Sequence, residues 1–369
     1  MKRFGILTTN RADYYLLSPI IKSLKLNKHY HTELIVTGGH LLSSFGMTIN
    51  DITLPIDHII QIDDYNKTNS LSSINKLLNS IMTSSNTFFS NHHFDYVIVL
   101  GDRFELAGIA LILFNLDIPI LHLYGGEVTL GSKDNTYRYL ISKLSKYHFV
   151  SNEKYKFNLL NNGIDSENIY EIGYLSSDLI NSVKFIDRNN LFNYLGLTNY
   201  PHPTYALISL HPPTNEDITV SQQLTILDEM ITKYNDILFI ATSSNNDFGG
   251  VLINDWYSNH LNIKSNLAYI PNLGFNNYIN LIRSSSFVVG NSSSLVTEVP
   301  ILNIPSILLG RRQEGREILG TIYMSDYSIN SLISLIDSVL LEPNIPNKFN
   351  QPFSSVDKFD TIVSKLSLK

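Results

Sequence analysis

DYVIVLGDRFELAGIALILFNLDIPILHLYGGE, residues 95–127, decides how the rest of the chain is read. Two β-branched runs, DYVIVLG (95–101) and PILHLY (119–124), flank FELAGIALILFN, whose apolar residues recur at helical spacing. Strand, helix and strand in so short a span make a βαβ unit, the piece from which parallel sheets are built. Upstream, RFGILTT (3–9) and ELIVTG (33–38) read as further strands, and YHFVS (147–151) follows downstream. DYYLLSPIIKSLKL and SLSSINKLLNSIMTSSNTFF are helical in spacing.

After the polar stretch at 187–204 the pattern starts again. YALISLH (205–211), DILFIATS (236–243), LAYIP (267–271), SFVVGNS (286–292) and PSILLG (305–310) are strands, interleaved with helices QQLTILDEMITKY, NYINLIRS, SLVTEV and NSLISLIDSVLL. The fold class is therefore α/β, with two Rossmann-like parallel-sheet domains expected to face a central cleft. The expected domains are 1–172 and 173–351, joined by a linker near 172–200. A helix in 352–369 is expected to return to the first. At 369 residues, two cores are a better fit than one.

Composition excludes several classes of function. Net charge is −6, which is not the basic footprint of a nucleic-acid binder. There is no cysteine, so disulfides, thiolate nucleophiles and Cys-based metal sites are excluded. The N-terminus lacks the apolar run of a signal peptide, and the most apolar stretch is broken by Asn115, Asp117 and Pro119. A soluble, cytoplasmic protein that meets neither membrane nor nucleic acid is expected. His29, His31, His92 and His93 read as surface residues, and neither a metal nor a cofactor is expected.

In open α/β sheets, ligands sit beyond the carboxyl ends of the strands. Chemistry-bearing residues gather at those exits. VLGDRFE puts Asp102 and Arg103 after one strand, with Glu105 opening a helix; the plain alternative is an acid favouring a helix N-terminus. HLYGGEVTLGSKDNTYR turns on Gly125–Gly126, presents Glu127, and sets Asp134 and Arg138 at i, i+4 spacing. Like charges crowded in a partly desolvated site push their pKa values apart, which suits an acid/base pair. A capping acid and a surface ion pair are the simpler account.

SLHPPT places His211 at the exit of the second half's first strand, as a catalyst or a structural hydrogen-bonder. VVGNSSSLVTEVP ends a strand in Ser292 and Ser293 and opens a helix, where free N–H groups and hydroxyls suit phosphate; N-capping is the plain alternative. Glu298 is spaced to accept from a ribose diol. LLGRRQEGRE gathers Arg311, Arg312 and Arg316, and Arg11 follows the chain's first strand; guanidinium forks clamp oxyanions. No GxGxxG, GxSxG or Walker loop accompanies them.

Taken in order, RADYYLLSPI, VTGGHLLSSFGMTI, VLGDRFE, HLYGGEVTLGSKDNTYR, LISKLSKYHFV, SLHPPT, GNSSSLVTEVP and GRRQEGRE resemble the hydrolysing UDP-N-acetylglucosamine 2-epimerases of the sialic-acid pathway, over about residues 5–320. The resemblance implies a GT-B fold, a homodimer, and UDP held mainly by the C-terminal half. It implies elimination of UDP to a 2-acetamidoglucal, then hydration to N-acetylmannosamine. Asp102, Glu127, Asp134 and Arg138 would handle the carbon-2 proton. His211 would assist the leaving phosphate. Arg11, Ser292, Ser293, Glu298, Arg312 and Arg316 would bind UDP. Four positions depart from the family pattern: Tyr124, Tyr139, Arg311, and Leu295 in place of a Gly. The alternatives are the same chemistry on a UDP-2,4-diacetamido-2,4,6-trideoxyhexose, a GT-B glycosyltransferase, or a catalytically silent nucleotide-sugar binder.

Overall fold

The computed structural model describes residues 1–42, 47–63, 71–130, 134–213, 217–244, 249–320, 322–342 and 349–367. Parts of three motifs, 43–46, 131–133 and Thr214, lie outside the described residues, as does Ser70 at the head of an expected helix. Among the described residues no helix is long and apolar enough to cross a membrane.

The chain divides into two compact units. The first comprises Met1–Val128, Lys133–Leu179 and Gln351–Lys369; the second comprises Thr129–Ser132 and Ile180–Asn350. The first unit holds a seven-stranded sheet in the order β3-β2-β1-β4-β5-β6-β7. Its strands are β1 (Lys2–Thr8), β2 (Tyr30–Val36), β3 (His58–Ile59), β4 (Tyr96–Leu100), β5 (Ile120–Leu123), β6 (Tyr147–Val150) and β7 (Ile169–Glu171). Every pairing is parallel. The central strands are buried on both faces, so they read as unbroken apolar runs.

Helices α1 (Arg11–Leu26), α2 (Leu71–Asn91), α3 (Phe104–Asn115), α4 (Asp134–Leu144), α5 (Glu153–Asn161) and α6 (Leu175–Ser182) complete the crossovers. Asn10 caps α1 by accepting from the amides of Ala12 and Asp13. The last helix of the chain, α13 (Ser355–Ser367), packs on α1. Its Phe359 is fully buried against Phe149, with ring centroids 4.7 Å apart. The Ser355 amide at its start donates to Asp178 Oδ2 at 2.7 Å.

The second unit has a six-stranded parallel sheet, β10-β9-β8-β11-β12-β13. Its strands are β8 (Thr204–Ser209), β9 (Ile237–Ala241), β10 (Leu267–Tyr269), β11 (Val288–Gly290), β12 (Ser306–Leu309) and β13 (Ile322–Ser325). Helices α7 (Arg188–Leu195), α8 (Val220–Lys233), α9 (Gly250–His260), α10 (Gly274–Ser284) and α12 (Ile329–Leu341) cover it. SLVTEV, expected as a helix, is not one. A 3-10 turn at Ser293–Leu295 precedes the four-residue α11 (Glu298–Ile301). Leu295 is fully buried in the apolar cluster under the sheet, so its side chain is spent on packing and does not crowd the exit loop.

Both sheets reverse their winding once. In the first unit β1 and β4 lie side by side while the connections run away on either hand; in the second, β8 and β11 do the same. These are topological switch points, where the exit loops part and leave a crevice for a ligand. Arg11 and Asp102 follow the strands of one, and His211 and Ser292 follow those of the other.

Candidate functional site

In the first unit the exit loops of β1, β4 and β5 carry the ionisable groups. Arg138, one turn into α4 and only 2% exposed, forms an ion pair with Asp102 and donates to the main-chain carbonyl of Glu127 at 2.8 Å. The i, i+4 spacing of Asp134 and Arg138 suggested a pair on the helix itself. The guanidinium reaches inward to the β4 exit, where the Asp102 carboxylate offsets its burial. Asp134 stands exposed at the start of α4, and its charge acts on Arg103. Arg103 in turn grips Glu105 through Nη2 and Nε, at 3.0 and 3.3 Å. That pairing first, joined by Asp13 and Asp134, holds the Arg103 pKa above its ordinary value. Arg11 is exposed at the first position of α1.

The Gly125–Gly126 turn is needed for contact as well as direction. Gly126 has φ +77°, and a Cβ there would fall 2.3 Å from the Tyr155 carbonyl oxygen. Tyr124 just before it also takes positive φ, +64°. Its hydroxyl accepts from the Leu175 amide at 2.6 Å, satisfying an orphan donor at the start of α6.

Two residues of this wall are not singled out by the sequence. Asp13 is 8% exposed, with Oδ2 accepting from Thr9 Oγ1 and Asn10 Nδ2, both at 2.8 Å. Burial pushes its carboxyl up to about 7, with Thr9 and Arg103 pulling against that and Asp102 and Glu105 adding to it. Its signal is the acid three residues after an Asn that caps a helix.

His122, fully buried on β5, lies within 2.8 Å of the Gly101 carbonyl through Nε2 and within 3.0 Å of Ser142 Oγ through Nδ1. A carbonyl can only accept, so Nε2 carries the proton and Nδ1 accepts from the hydroxyl. The ring therefore ties the residue before Asp102 to the helix that carries Arg138. Burial pushes its pKa down to about 4, aided by Arg138, so it stays neutral.

In the second unit the β8 and β11 exits are stitched together. Asn291, fully buried, accepts from the His211 amide at 2.7 Å and donates to the His211 carbonyl at 2.8 Å. The His211 ring is half-buried, with Nδ1 3.3 Å from Ser244 Oγ. Gly290 has φ +147°, and a Cβ there would lie 2.0 Å from the Ser209 carbonyl oxygen, so the two strands approach at a glycine.

Ser292 is 8% exposed and its hydroxyl accepts from the Ser294 amide, while Ser293 is half-buried. The cradle is thus a 3-10 turn with hydroxyls. The long helix dipole expected there is absent, and anion affinity would come from N–H groups, hydroxyls and arginines. Glu298 opens α11 and accepts from Thr297 Oγ1. Beyond β12, Gln313 donates to the Asn291 carbonyl at 2.9 Å and so fixes a loop that carries Arg312 and Arg316, both half-buried, with Arg311 exposed.

A carboxylate paired with a buried arginine at one switch point, and an amide-stitched turn with hydroxyls beside an arginine loop at the other, are the equipment of proton transfer and of anion binding. Comparison with known proteins agrees with that chemistry. The model of the UDP-N-acetylglucosamine 2-epimerase family matches residues 22–367. A hydrolysing GDP/UDP-N,N'-diacetylbacillosamine 2-epimerase of Campylobacter jejuni is 33% identical over 90% of this chain and 85% of its own. Polysialic acid biosynthesis protein P7 of Escherichia coli is 31% identical over 86% and 80%. Among solved structures, the UDP-GlcNAc 2-epimerase of Neisseria meningitidis bound to UDP-GlcNAc superposes with TM-score 0.81 over the full length of both chains, at 18% identity. That likeness identifies the two parallel-sheet units as the GT-B-like fold. By its family match and its relatives, the chain belongs to the UDP-N-acetylglucosamine 2-epimerase family.

Proposed function

We propose that the chain is a hydrolysing 2-epimerase of a UDP-2-acetamido sugar, releasing UDP and the 2-epimeric free sugar. The observation that carries this reading is the buried Arg138, which holds Asp102 and the Glu127 main chain at adjoining strand exits of a family scaffold. A carboxylate of the Asp102, Glu127 and Asp134 group takes the proton from carbon 2. The electron pair closes the carbon 1–carbon 2 double bond, and the carbon 1–oxygen bond breaks toward the β-phosphate. Water then adds its hydroxyl at carbon 1, while a carboxylic acid of the same group returns a proton to the other face of carbon 2. Proton transfer by a placed side chain contributes about 10²–10⁴-fold. Stabilising the charge that develops on the departing diphosphate is of similar importance.

By the family resemblance, Arg11, Ser292, Ser293, Arg312 and Arg316 serve the diphosphate. His211 serves the β-phosphate oxygen as it leaves, and Glu298 the ribose hydroxyls. The order of the sequence motifs favours UDP-N-acetylglucosamine as substrate and N-acetylmannosamine as product. A second reading, UDP-N,N'-diacetylbacillosamine, is favoured by the names of the Campylobacter jejuni relative and of a Legionella pneumophila relative 29% identical over 94% of this chain. The family resemblance adds a cytoplasmic homodimer to the proposal, and light scattering of the purified protein tests the dimer.

The deciding experiment supplies each UDP-sugar in deuterated water. Free UDP together with deuterium at carbon 2 of the epimeric sugar is expected from one of them. UDP release without deuterium would reduce the reaction to hydrolysis or transfer. Asp102→Asn should abolish turnover and His211→Ala should lower kcat about 100-fold, both leaving the fold intact, and full activity in both would overturn the assignment of roles.

A further inference from the structure

We propose that Asn291 is a positioning residue: through the main chain of His211 and the side chain of Gln313 it sets three strand-exit loops of the second unit in the geometry that receives a nucleoside diphosphate. This rests on the functional reading above. At a switch point, neighbouring exit loops leave the ladder in opposite directions, and their main-chain groups lose their partners. Asn291 replaces them across the gap. Its amide donates to the Ser209 carbonyl at 3.1 Å, continuing the β8–β11 ladder by one step. Its side chain then exchanges two hydrogen bonds with the main chain of His211, at 2.7 and 2.8 Å.

A carboxamide accepts from the N–H through its oxygen and donates to the C=O of the same residue through its nitrogen, which an ionised carboxylate cannot do. Asp has nearly the same shape but would turn an oxygen toward the His211 carbonyl, and Gln is one methylene too long. The second amide hydrogen faces the Tyr327 hydroxyl at 3.5 Å, which itself accepts from Gln223 Nε2 at 2.7 Å. The Asn291 carbonyl takes the Gln313 amide at 2.9 Å, and Gln313 is 5% exposed between Arg312 and Glu314. A core asparagine would satisfy whatever lay nearby. This one instead bonds the main chain of His211 and the side chain of Gln313 beside the arginines, and directly precedes the serine turn in the chain, so it joins three loops that are offered to one ligand.

The test is UDP affinity by calorimetry, kcat by product release, and urea unfolding followed through the single Trp256, which reports the second unit. Wild-type protein should bind UDP, and Asn291→Asp should bind it about tenfold more weakly, as expected for one hydrogen bond lost and a repulsion gained. His211→Ala and the double variant complete a cycle. If Asn291 acts through His211, the double variant loses less in kcat than the product of the two single losses.

Should Asn291→Asp fail to fold, Gln313→Met leaves the His211 bonds intact and must still weaken UDP binding. Unchanged UDP affinity in both folded variants, or strictly multiplicative losses of kcat alongside a lowered urea midpoint, would reduce Asn291 to a structural residue and overturn the inference. A wild-type chain that binds no UDP overturns the functional reading and takes this inference with it.

Discussion

Acid should weaken the first unit through a histidine that does no chemistry. His148 lies on β6 directly across from His122 on β5; it is 1% exposed, and its Nδ1 has no hydrogen-bond partner among the described residues. Burial first, then the neighbouring His122, pushes its pKa from 6.5 to about 3. The unfolded chain therefore takes up a proton as pH falls through 6.5, and the folded chain resists until about 3. The sign is fixed: stability falls on acidification across that window. At about 1.4 kcal/mol per pH unit, His148 alone costs about 3 kcal/mol between about pH 7 and about pH 4.

His148→Leu removes the titration and the unpartnered nitrogen together. It should be neutral or slightly stabilising at about pH 7 and about 3 kcal/mol more stable than wild type at about pH 4. Trp256 reports the other unit, so the assay is native-state hydrogen exchange of β5 and β6 amides, which yields a local opening free energy. Asp13 titrates in the opposite sense but contributes equally to both proteins, so it cancels from the difference. Parallel pH profiles for variant and wild type would refute the reasoning.

Asp13→Asn should show that opposite sense. A carboxyl raised from 3.8 to about 7 contributes stability below 3.8 that is lost as pH climbs through 7, so the variant should be more stable at about pH 8 by up to about 4 kcal/mol, read from exchange at α1. Arg138→Met leaves Asp102 and the Glu127 carbonyl without their buried donor. It should cost about 3 kcal/mol by exchange at β4 and at least about 100-fold in kcat, both measurable on one preparation. Gly290→Ala drives a Cβ against the Ser209 carbonyl at positive φ and should lower the second unit's stability by about 3 kcal/mol in urea, followed by Trp256 fluorescence.

The sheets were legible because buried parallel strands must be apolar on both faces; VIVL and ILHL could be little else. The edge strands β3, β7 and β13 escaped for the same reason. They have two to four residues, mostly half-exposed or exposed, and too few apolar positions to show a period. Candidate residues at strand exits were legible from position alone. Their pairings were not, because helical spacing links Asp134 to Arg138 while burial favours Asp102 as the partner. SLVTEV carries helical periodicity, yet the segment breaks into a 3-10 turn and a short helix as Ser292 caps and Leu295 turns into the core. His122 and Asn291 look like ordinary core and loop residues in sequence, since their partners, main-chain groups among them, are brought near only by the fold.

Those fasteners share a physical origin with the site they hold. A parallel sheet whose winding reverses must release two adjacent strands in opposite directions, so carbonyls and amides at the exits lose their ladder partners where a ligand is to be received. Water could satisfy them, but water reorganises as charge moves. A side chain buried beneath the loop satisfies them and also fixes their direction. His122 does so for the Gly101 carbonyl beside Asp102, and Asn291 for the main chain of His211. Dipoles held in this way stabilise a developing charge without having to turn toward it, which is where most of the electrostatic gain in catalysis arises. The cost falls on acid tolerance, because an imidazole buried for this purpose must remain neutral to keep its acceptor nitrogen. The same requirement explains why His122 is driven down to about 4, and why the first unit should fail in acid at β5 and β6 before its outer helices do.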